Sequence, residues 1–259
     1  MRPSSPVPRR WRVKIDCILL AAGAGSRMKR LGSSGRGEGQ GALPKPLVPL
    51  AGRPLLEHLL SRLLKISPRR IVLVLGHGRR EIEQLLEGLS PKLELEVELL
   101  TVLNPKPERE NGYSLLQAEG LVGEQFLVAM ADHLIDPGIY RAAADHQGLG
   151  LCVDFSPPAY LDVDEATKVL VEGGKVLKIG KELKEWNGLD TGVFALTPLA
   201  FQALRQLAAG QQELTLTEMV SELIELGHPP QALDVSGLPW IDIDTPEDLE
   251  RAEDFILIL

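Results

Sequence analysis

The sequence predicts an α/β fold: a Rossmann-like three-layer sandwich with a mostly parallel sheet and a small β-hairpin insertion beside its cleft. Three observations lead there. Strand-sized apolar runs recur at Cys17–Leu20, Ile71–Leu75 and Phe126–Met130. Between them lie segments with helical apolar spacing, as in Leu55, Leu56, Leu59, Leu60, Leu63 and Leu64. The connections are short, so each strand–helix–strand unit should cross over right-handed and set its strands parallel. A chain of 259 residues, 44% of them hydrophobic, can bury the core of one large α/β domain.

The elements follow in order. Residues 1–12, rich in Pro and Arg, read as a disordered lead-in without the apolar centre of a signal peptide, and residues 13–259 as a single domain. Cys17-Ile18-Leu19-Leu20 is short enough for a fully buried strand, and it breaks at Gly23-Ala24-Gly25-Ser26-Arg27. Two glycines one residue apart allow a tight turn and let a ligand touch the main chain. Successive N–H groups in such a turn form a concave anion site. Arg27 adds a planar cation suited to phosphate oxygens. Lys45 lies between Pro44 and Pro46, so its backbone is stiff where its charge is needed. Residues 31–42, with glycine at 32, 35, 37, 39 and 41, form a flexible loop, either a lid or an insertion. Strand, glycine turn, Arg27 and Lys45 together suit a triphosphate. Two other phosphate motifs are excluded. Met28 stands where the dinucleotide fingerprint needs its third glycine, and Gly-x4-Gly-Lys-Ser/Thr does not occur.

Gly52–Lys65 reads as a helix with Pro54 near its start, Ile71–Leu75 as a strand, Arg79–Leu89 as a helix, and Leu93–Leu103 as a strand with one wetter face. Asn104–Leu116 leaves that strand at its carboxyl end, where open α/β sheets bind ligands. Its Asn111-Gly112 pair and Ser114 either approach a base edge or make a turn with a helix cap. Phe126–Met130 ends in Ala131-Asp132-His133. An aspartate there is costly to bury unless paired or metal-bound, so Asp132 is the leading magnesium ligand. His133 either neighbours the phosphates or ends the strand.

Gly148–Phe155 is another strand. The insertion, about 156–192, carries a hairpin signal in which Val169-Leu170-Val171 and Val176-Leu177-Lys178-Ile179 flank Glu172-Gly173-Gly174-Lys175. It should project past the sheet edge. Of its lysines, Lys168 and Lys181 are retained as phosphate-binding candidates. Asp190-Thr191-Gly192 then opens a strand ending at Leu196, with side chains suited to hydroxyl groups. Pro198–Ala209 and Thr215–Leu226 are helices. Asp242 and Asp244, two apart on an extended segment, face one side, and Thr245-Pro246 begins the terminal helix. Which aspartate meets a metal is left open, since Asp244 could cap that helix.

Charge and composition narrow the classes further. A net charge of −8 argues against a general nucleic-acid binder, and no apolar run approaches a bilayer span. Cys17 and Cys152 sit in apolar runs, predicting buried thiols in a reducing cytoplasm.

Leu20-Ala21-Ala22-Gly23-Ala24-Gly25-Ser26-Arg27-Met28, followed by Pro44-Lys45-Pro46-Leu47, resembles the signature of the sugar-phosphate nucleotidyltransferases, a family with the MobA-like NTP transferase fold. The likeness is greatest to the branch that transfers CMP from CTP to inositol 1-phosphate. Its carriers are Asn104-Pro105, Glu108 through Leu115, Met130 through His133, Glu165 through Val169, and Trp186 with Asp190-Thr191-Gly192. The resemblance implies that Leu20, Ala21, Ala22, Gly23, Ala24, Gly25, Ser26, Asn111, Gly112, Ser114 and Ala131 bind the nucleotide. It implies catalytic roles for Arg27, Lys45 and Lys181, and magnesium held by Asp132 with Asp242 or Asp244. Lys168, Lys181, Asp190, Thr191 and Gly192 would bind the acceptor, a phosphorylated polyol or sugar. Lys45 and Asp132 are expected on opposite sides of the triphosphate–metal site. Phosphocholine, a phosphonate and a hexose 1-phosphate are the alternative acceptors, and a non-catalytic nucleotide-sensing subunit is the alternative class. The chain is further read as the free-standing soluble half of a pair whose product feeds a membrane transferase. A homodimer is left open.

Overall fold

A computed structural model describes residues 15–23, 43–89 and 97–258. The lead-in, Ala24, Gly25, Ser26, Arg27, the glycine-rich loop 31–42 and the first part of the Leu93–Leu103 strand lie outside the described residues. The first part of the chain forms β1 (Asp16–Ala21), β2 (Pro49–Leu50), β3 (Arg53–Pro54), α1 (Leu55–Leu63), β4 (Arg70–Leu75), α2 (Arg79–Leu89), β5 (Glu98–Leu103) and α3 (Glu110–Leu116). β6 (Phe126–Met130), β7 (His133–Ile135), α4 (Pro137–Asp145) and β8 (Gly150–Asp154) follow. The rest comprises β9 (Lys168–Glu172), β10 (Lys175–Gly180), β11 (Gly188–Leu196), α5 (Leu199–Ala208), α6 (Leu216–Glu225), β12 (Gln231–Asp234), β13 (Trp240–Asp242) and α7 (Pro246–Ile258).

Among the described residues, nine strands make one sheet in the order β5-β4-β1-β6-β11-β8-β12-β10-β9. β5, β4, β1 and β6 are parallel, as the crossovers require. β11 is antiparallel to both β6 and β8. Seven of the nine described strands run one way and β10 and β11 run against them, so the sheet is mostly parallel, as expected, with two reversed strands. The reason is the connection: after β8 the chain returns through the β9–β10 hairpin, with no helical crossover to reset its direction. The hairpin lies beyond β12 as the last two strands of that order, joined to the sheet and not standing apart from it. β9 pairs with the first residues of β11, and β10 meets β12. Its turn uses Gly173 and Gly174 at φ 56° and 77°, the left-handed pair that a two-residue hairpin needs.

Both faces of the sheet are covered. In β1, Cys17, Leu19 and Ala21 join a core with α1, α2, α4 and α7, while Ile18 and Leu20 join one with α3, α5 and α6. This is the period of two of a strand buried on both sides. Both cysteines are buried free thiols, and burial pushes both thiol pKa values up. α4 was not anticipated, although its signal is present: Asp136 accepts from the Gly138 N–H at 2.6 Å, and Pro137 opens the helix. Among the described residues no helix is long and apolar enough to cross a membrane.

Candidate active site

The carboxyl ends of β1 and β6 open into a cleft of about 720 Å³. Leu20, Ala22 and Gly23 line it, while Ala21 packs into the core beneath. The Ala131 N–H donates to the Leu20 carbonyl at 3.0 Å, tying the two strand ends together. A loop that sequence reasoning passed over braces this end. A Cβ on Gly76 would lie 2.6 Å from the Ala22 carbonyl oxygen, and one on Gly78 would lie 2.0 Å from Pro44 Cγ. Gly78 also sits at φ 71°. Gly-His-Gly at the end of an apolar strand was the available signal.

Pro44 delivers Lys45, which is buried. Its Nζ lies 3.0 Å from Asp132 Oδ2, 2.5 Å from Asp244 Oδ1 and 3.8 Å from Asp242 Oδ1. Lys45 and Asp132 are thus direct partners, not groups on opposite sides of the site. Burial alone would lower the lysine's pKa; the three carboxylates outweigh it and hold the ammonium charged, its pKa raised. Burial also opposes ionisation of Asp132, yet Lys45 and His133 keep its pKa low. Asp242 is different. Desolvation pushes it to about 6, against the attraction of His133.

The β13–β7 pairing sets Asp242 opposite His133. Thr245 supplies the helix cap that Asp244 might have given, since its hydroxyl accepts from the Asp248 N–H at 3.2 Å. Asp248 Oδ2 in return accepts from the N–H groups of Thr245 and Asp244, at 2.8 and 3.1 Å. Asp244 Oδ1 is directed at Lys45. Asp132 Oδ1 and Asp242 Oδ1 are buried without a hydrogen-bond partner. Two such hard, anionic oxygens fit a divalent cation, so Asp132 and Asp242 are the carboxylates that would hold one.

One wall of the cleft carries Glu110, Asn111, Ser114, Thr215 and Thr217. Ser114 lies in the body of α3 and not at a cap. It accepts from Asn104 Nδ2 at 2.9 Å and is 3.3 Å from the Glu110 carbonyl. Asn111 Oδ1 accepts from the Leu216 N–H at 2.8 Å, at the start of α6. Gly112 is there for packing: its N–H donates to Leu214 at 2.8 Å, and a Cβ would meet that same carbonyl oxygen at 2.8 Å. Glu110 is held at φ 70° and ψ −176°, a region nearly reserved for glycine.

The opposite wall includes Asp162, Glu165, Thr167, Lys181, Glu247 and Arg251. Lys181, half exposed, has Glu165 at 3.8 Å. Lys168 is buried, and its ammonium donates to the carbonyls of Asp164 at 3.2 Å and Lys181 at 2.8 Å. It fastens the loop that carries Lys181 and is not among the lining residues. The Thr191 hydroxyl turns inward, donating to the Cys152 carbonyl at 3.1 Å. Asp190 accepts from the Gly192 N–H at 2.7 Å, and burial pushes its pKa up to about 6. Of the five acceptor candidates, only Lys181 reaches the cleft directly.

The cleft at the carboxyl ends of parallel strands, with a buried lysine amid carboxylates, has the position and charge of a site for a phosphorylated ligand and a cation. The chain belongs to the family of the MobA-like NTP transferase domain, whose match spans residues 17–155. A protein of Aquifex aeolicus called bifunctional IPC transferase and DIPP synthase is 34% identical, over 93% of this chain and 51% of its own length. A protein of the same name from Rubrobacter xylanophilus is 35% identical, over 94% of this chain and 52% of its own. The chain thus spans about half the length of the curated relatives it matches. Among solved structures, the inositol-1-phosphate CTP transferase of T. maritima superposes with a TM-score of 0.81 at 27% identity, covering 95% of this chain and 97% of that one.

Proposed function

We propose that the protein transfers CMP from CTP to inositol 1-phosphate, releasing pyrophosphate and forming CDP-inositol, with magnesium bound at Asp132 and Asp242. The observation that carries the reading is Lys45 amid three carboxylates, two of which hold a buried oxygen without a hydrogen-bond partner. The likeness to the T. maritima inositol-1-phosphate CTP transferase supports the choice of substrates. A phosphate oxygen of the acceptor attacks the α-phosphorus of CTP. The new P–O bond forms as the bond to the bridging oxygen breaks, and pyrophosphate leaves with that electron pair. The acceptor phosphate is already ionised, so no covalent enzyme intermediate is needed. A bound divalent ion supplies charge neutralisation at the triphosphate.

The remaining work falls to the chain itself. Lys45 stays charged and fixes the carboxylates, so the site is arranged before substrate arrives. Arg27 and the glycine turn that begins at Gly23 would cradle the phosphates. Lys181 would meet the acceptor phosphate, while Asp162, Glu165 and Thr167 offer acceptors to its hydroxyl groups. A quaternary ammonium acceptor would need an open aromatic cage. Tyr160 does not offer one, because its hydroxyl donates to the Trp240 carbonyl at 3.2 Å and its ring packs edge-on against Phe255. The product would pass to an activity of the kind that the relatives' bifunctional names pair with the transferase.

Pyrophosphate release, measured over the four ribonucleoside triphosphates and several phosphorylated acceptors, tests the reading. CTP with inositol 1-phosphate should be the fastest pair, and Lys181→Ala should raise the KM for the acceptor while leaving that for CTP nearly unchanged. Release that is fastest with phosphocholine, or absent with CTP and every acceptor, would overturn it.

A further inference from the structure

We infer that His133 is a metal ligand whose Nε2 joins Asp132 and Asp242 in an Asp–His–Asp set, a nitrogen donor that lets the magnesium site also take manganese- or cobalt-class ions more tightly than oxygens alone would. The inference rests on the metal-dependent reading above and adds a nitrogen donor to it. One ligand-type atom from each of the three residues lies within 4.8 Å of the others. His133 Nε2 is 3.7 Å from Asp132 Oδ1 and 3.8 Å from Asp242 Oδ2. Two ligands at about 2.1 Å from a common ion stand about 3.0 Å apart when cis and about 4.2 Å when trans in octahedral geometry, so both pairs would close by less than about 1 Å to share an ion in cis positions.

The ring is oriented for this from three directions. Its Nδ1 is 2.9 Å from the Thr191 carbonyl oxygen, which can only accept. The proton therefore sits on Nδ1, and in the neutral ring the Nε2 lone pair points toward the carboxylates. Histidine ligands of metals are commonly held in this manner by their other nitrogen. Trp240 stacks on the ring, centroids 6.3 Å apart and planes at 23°. Gly192 leaves room for it, since a Cβ there would lie 2.6 Å from Nδ1 and 2.7 Å from Cε1. Gly192, proposed from sequence as an acceptor contact, thus positions His133. A site of oxygens alone suits magnesium; an imidazole nitrogen shifts preference along the divalent series toward manganese, cobalt and their neighbours.

The test uses the full chain with manganese(II) chloride, with and without CTP. Pulsed electron paramagnetic resonance on the bound ion should show coupling to an imidazole ¹⁴N, and His133→Gln should remove it. The variant should raise the manganese Kd by about tenfold or more while changing the magnesium Kd much less. Gly192→Ala, which drives the ring aside, should weaken the same coupling. The wild-type spectrum does not depend on any variant folding. Manganese bound without nitrogen coupling, coupling that persists in His133→Gln, or no manganese binding at all would each overturn the inference. Pyrophosphate release from CTP in the same preparations keeps the two readings apart. Turnover with an all-oxygen manganese spectrum would leave the proposed reaction standing and remove His133 from the metal.

Discussion

Two carboxylate sites lie at opposite ends of the central strands, one buried and one half-buried, and they are built on opposite plans. At the amino end of β1, Asp16 is 1% exposed and accepts from Arg69 Nε at 2.7 Å, from Arg69 Nη2 and from the Gly123 N–H at 2.9 Å. One carboxylate meets one cation in a fork, and the arginine remains half exposed. Past the carboxyl end of β6, one buried lysine faces three carboxylates, and two oxygens there have no hydrogen-bond partner. The first arrangement neutralises itself and holds the fold. The second gathers three carboxylates around Lys45 and His133, a concentration of negative charge that suits a further cation, as expected where a site trades stability for chemistry.

The largest effects should separate the two clusters. Asp132→Asn is expected to cut pyrophosphate release by about 10²–10³ and to lower stability only slightly, because the ion pair with Lys45 is lost while Asp244 and Asp242 still face that lysine. Asp16→Ala should leave turnover per folded molecule intact. It should lower stability by about 1–3 kcal/mol, since the Gly123 N–H loses its acceptor while the exposed Arg69 is rehydrated. Arg69→Ala should cost more than that, because it leaves a buried carboxylate with the Gly123 N–H but without its cation. Urea unfolding beside the activity assay checks all three. A stability loss in Asp132→Asn equal to that in Asp16→Ala would erase the distinction.

Much of this was legible in the sequence, and what was not shares a physical cause. Strand β6 and helix α2 were bounded correctly, and β4 to within one residue, because buried strands and amphipathic helices carry their period locally. Lys45, Asp132, Asp242 and Asp244 were each picked out by type and by position at an element end. Their pairing was not visible, since Lys45 is 87 residues from Asp132 and 199 from Asp244. The same holds for Gly112, whose reason is a carbonyl at Leu214, and for Lys168, whose partners are carbonyls that no side-chain pattern advertises. The antiparallel course of β11 depended on which strands the hairpin joins, again a long-range choice. α4 is the exception. Asp136-Pro137, with Ile139, Tyr140 and Ala143 behind it, announced the helix locally and was passed over.

A smaller effect sharpens the view that the lysine end is held by close packing. Gly78 and Gly120 both sit at positive φ, 71° and 81°. A Cβ on Gly120 meets nothing within 4 Å, whereas on Gly78 it collides with Pro44. Alanine at either position should cost about 1–3 kcal/mol for the backbone alone. Gly78→Ala should in addition displace the Pro44–Lys45 segment and lower kcat/KM by about ten- to a hundredfold. Equal activities in the two variants would show that Lys45 does not depend on that contact.

The smallest effect concerns a third carboxylate, Asp190, whose environment contrasts with that of Asp132. Lys45 helps hold Asp132 ionised, whereas burial pushes Asp190 up from 3.8 to about 6, only partly offset by the Gly192 N–H and His133. The sign follows from linkage. Well below pH 3.8 the group is protonated folded or unfolded and contributes nothing. Between that value and about 6 the folded chain keeps a proton that the unfolded chain has lost, so stability falls as pH rises. Above about 6 both states are ionised and the full penalty remains. Asp190→Asn keeps an oxygen for the Gly192 N–H and removes the charge. Its stability advantage over the wild type should therefore be small near the unfolded pKa, grow as pH rises to about 6, and stay level beyond. Urea midpoints across that range measure it. If Asp190 also contacts the acceptor, the gain should come with a raised acceptor KM. An advantage that does not grow with pH would mean the carboxylate is as well hydrated in the folded chain as in the unfolded one.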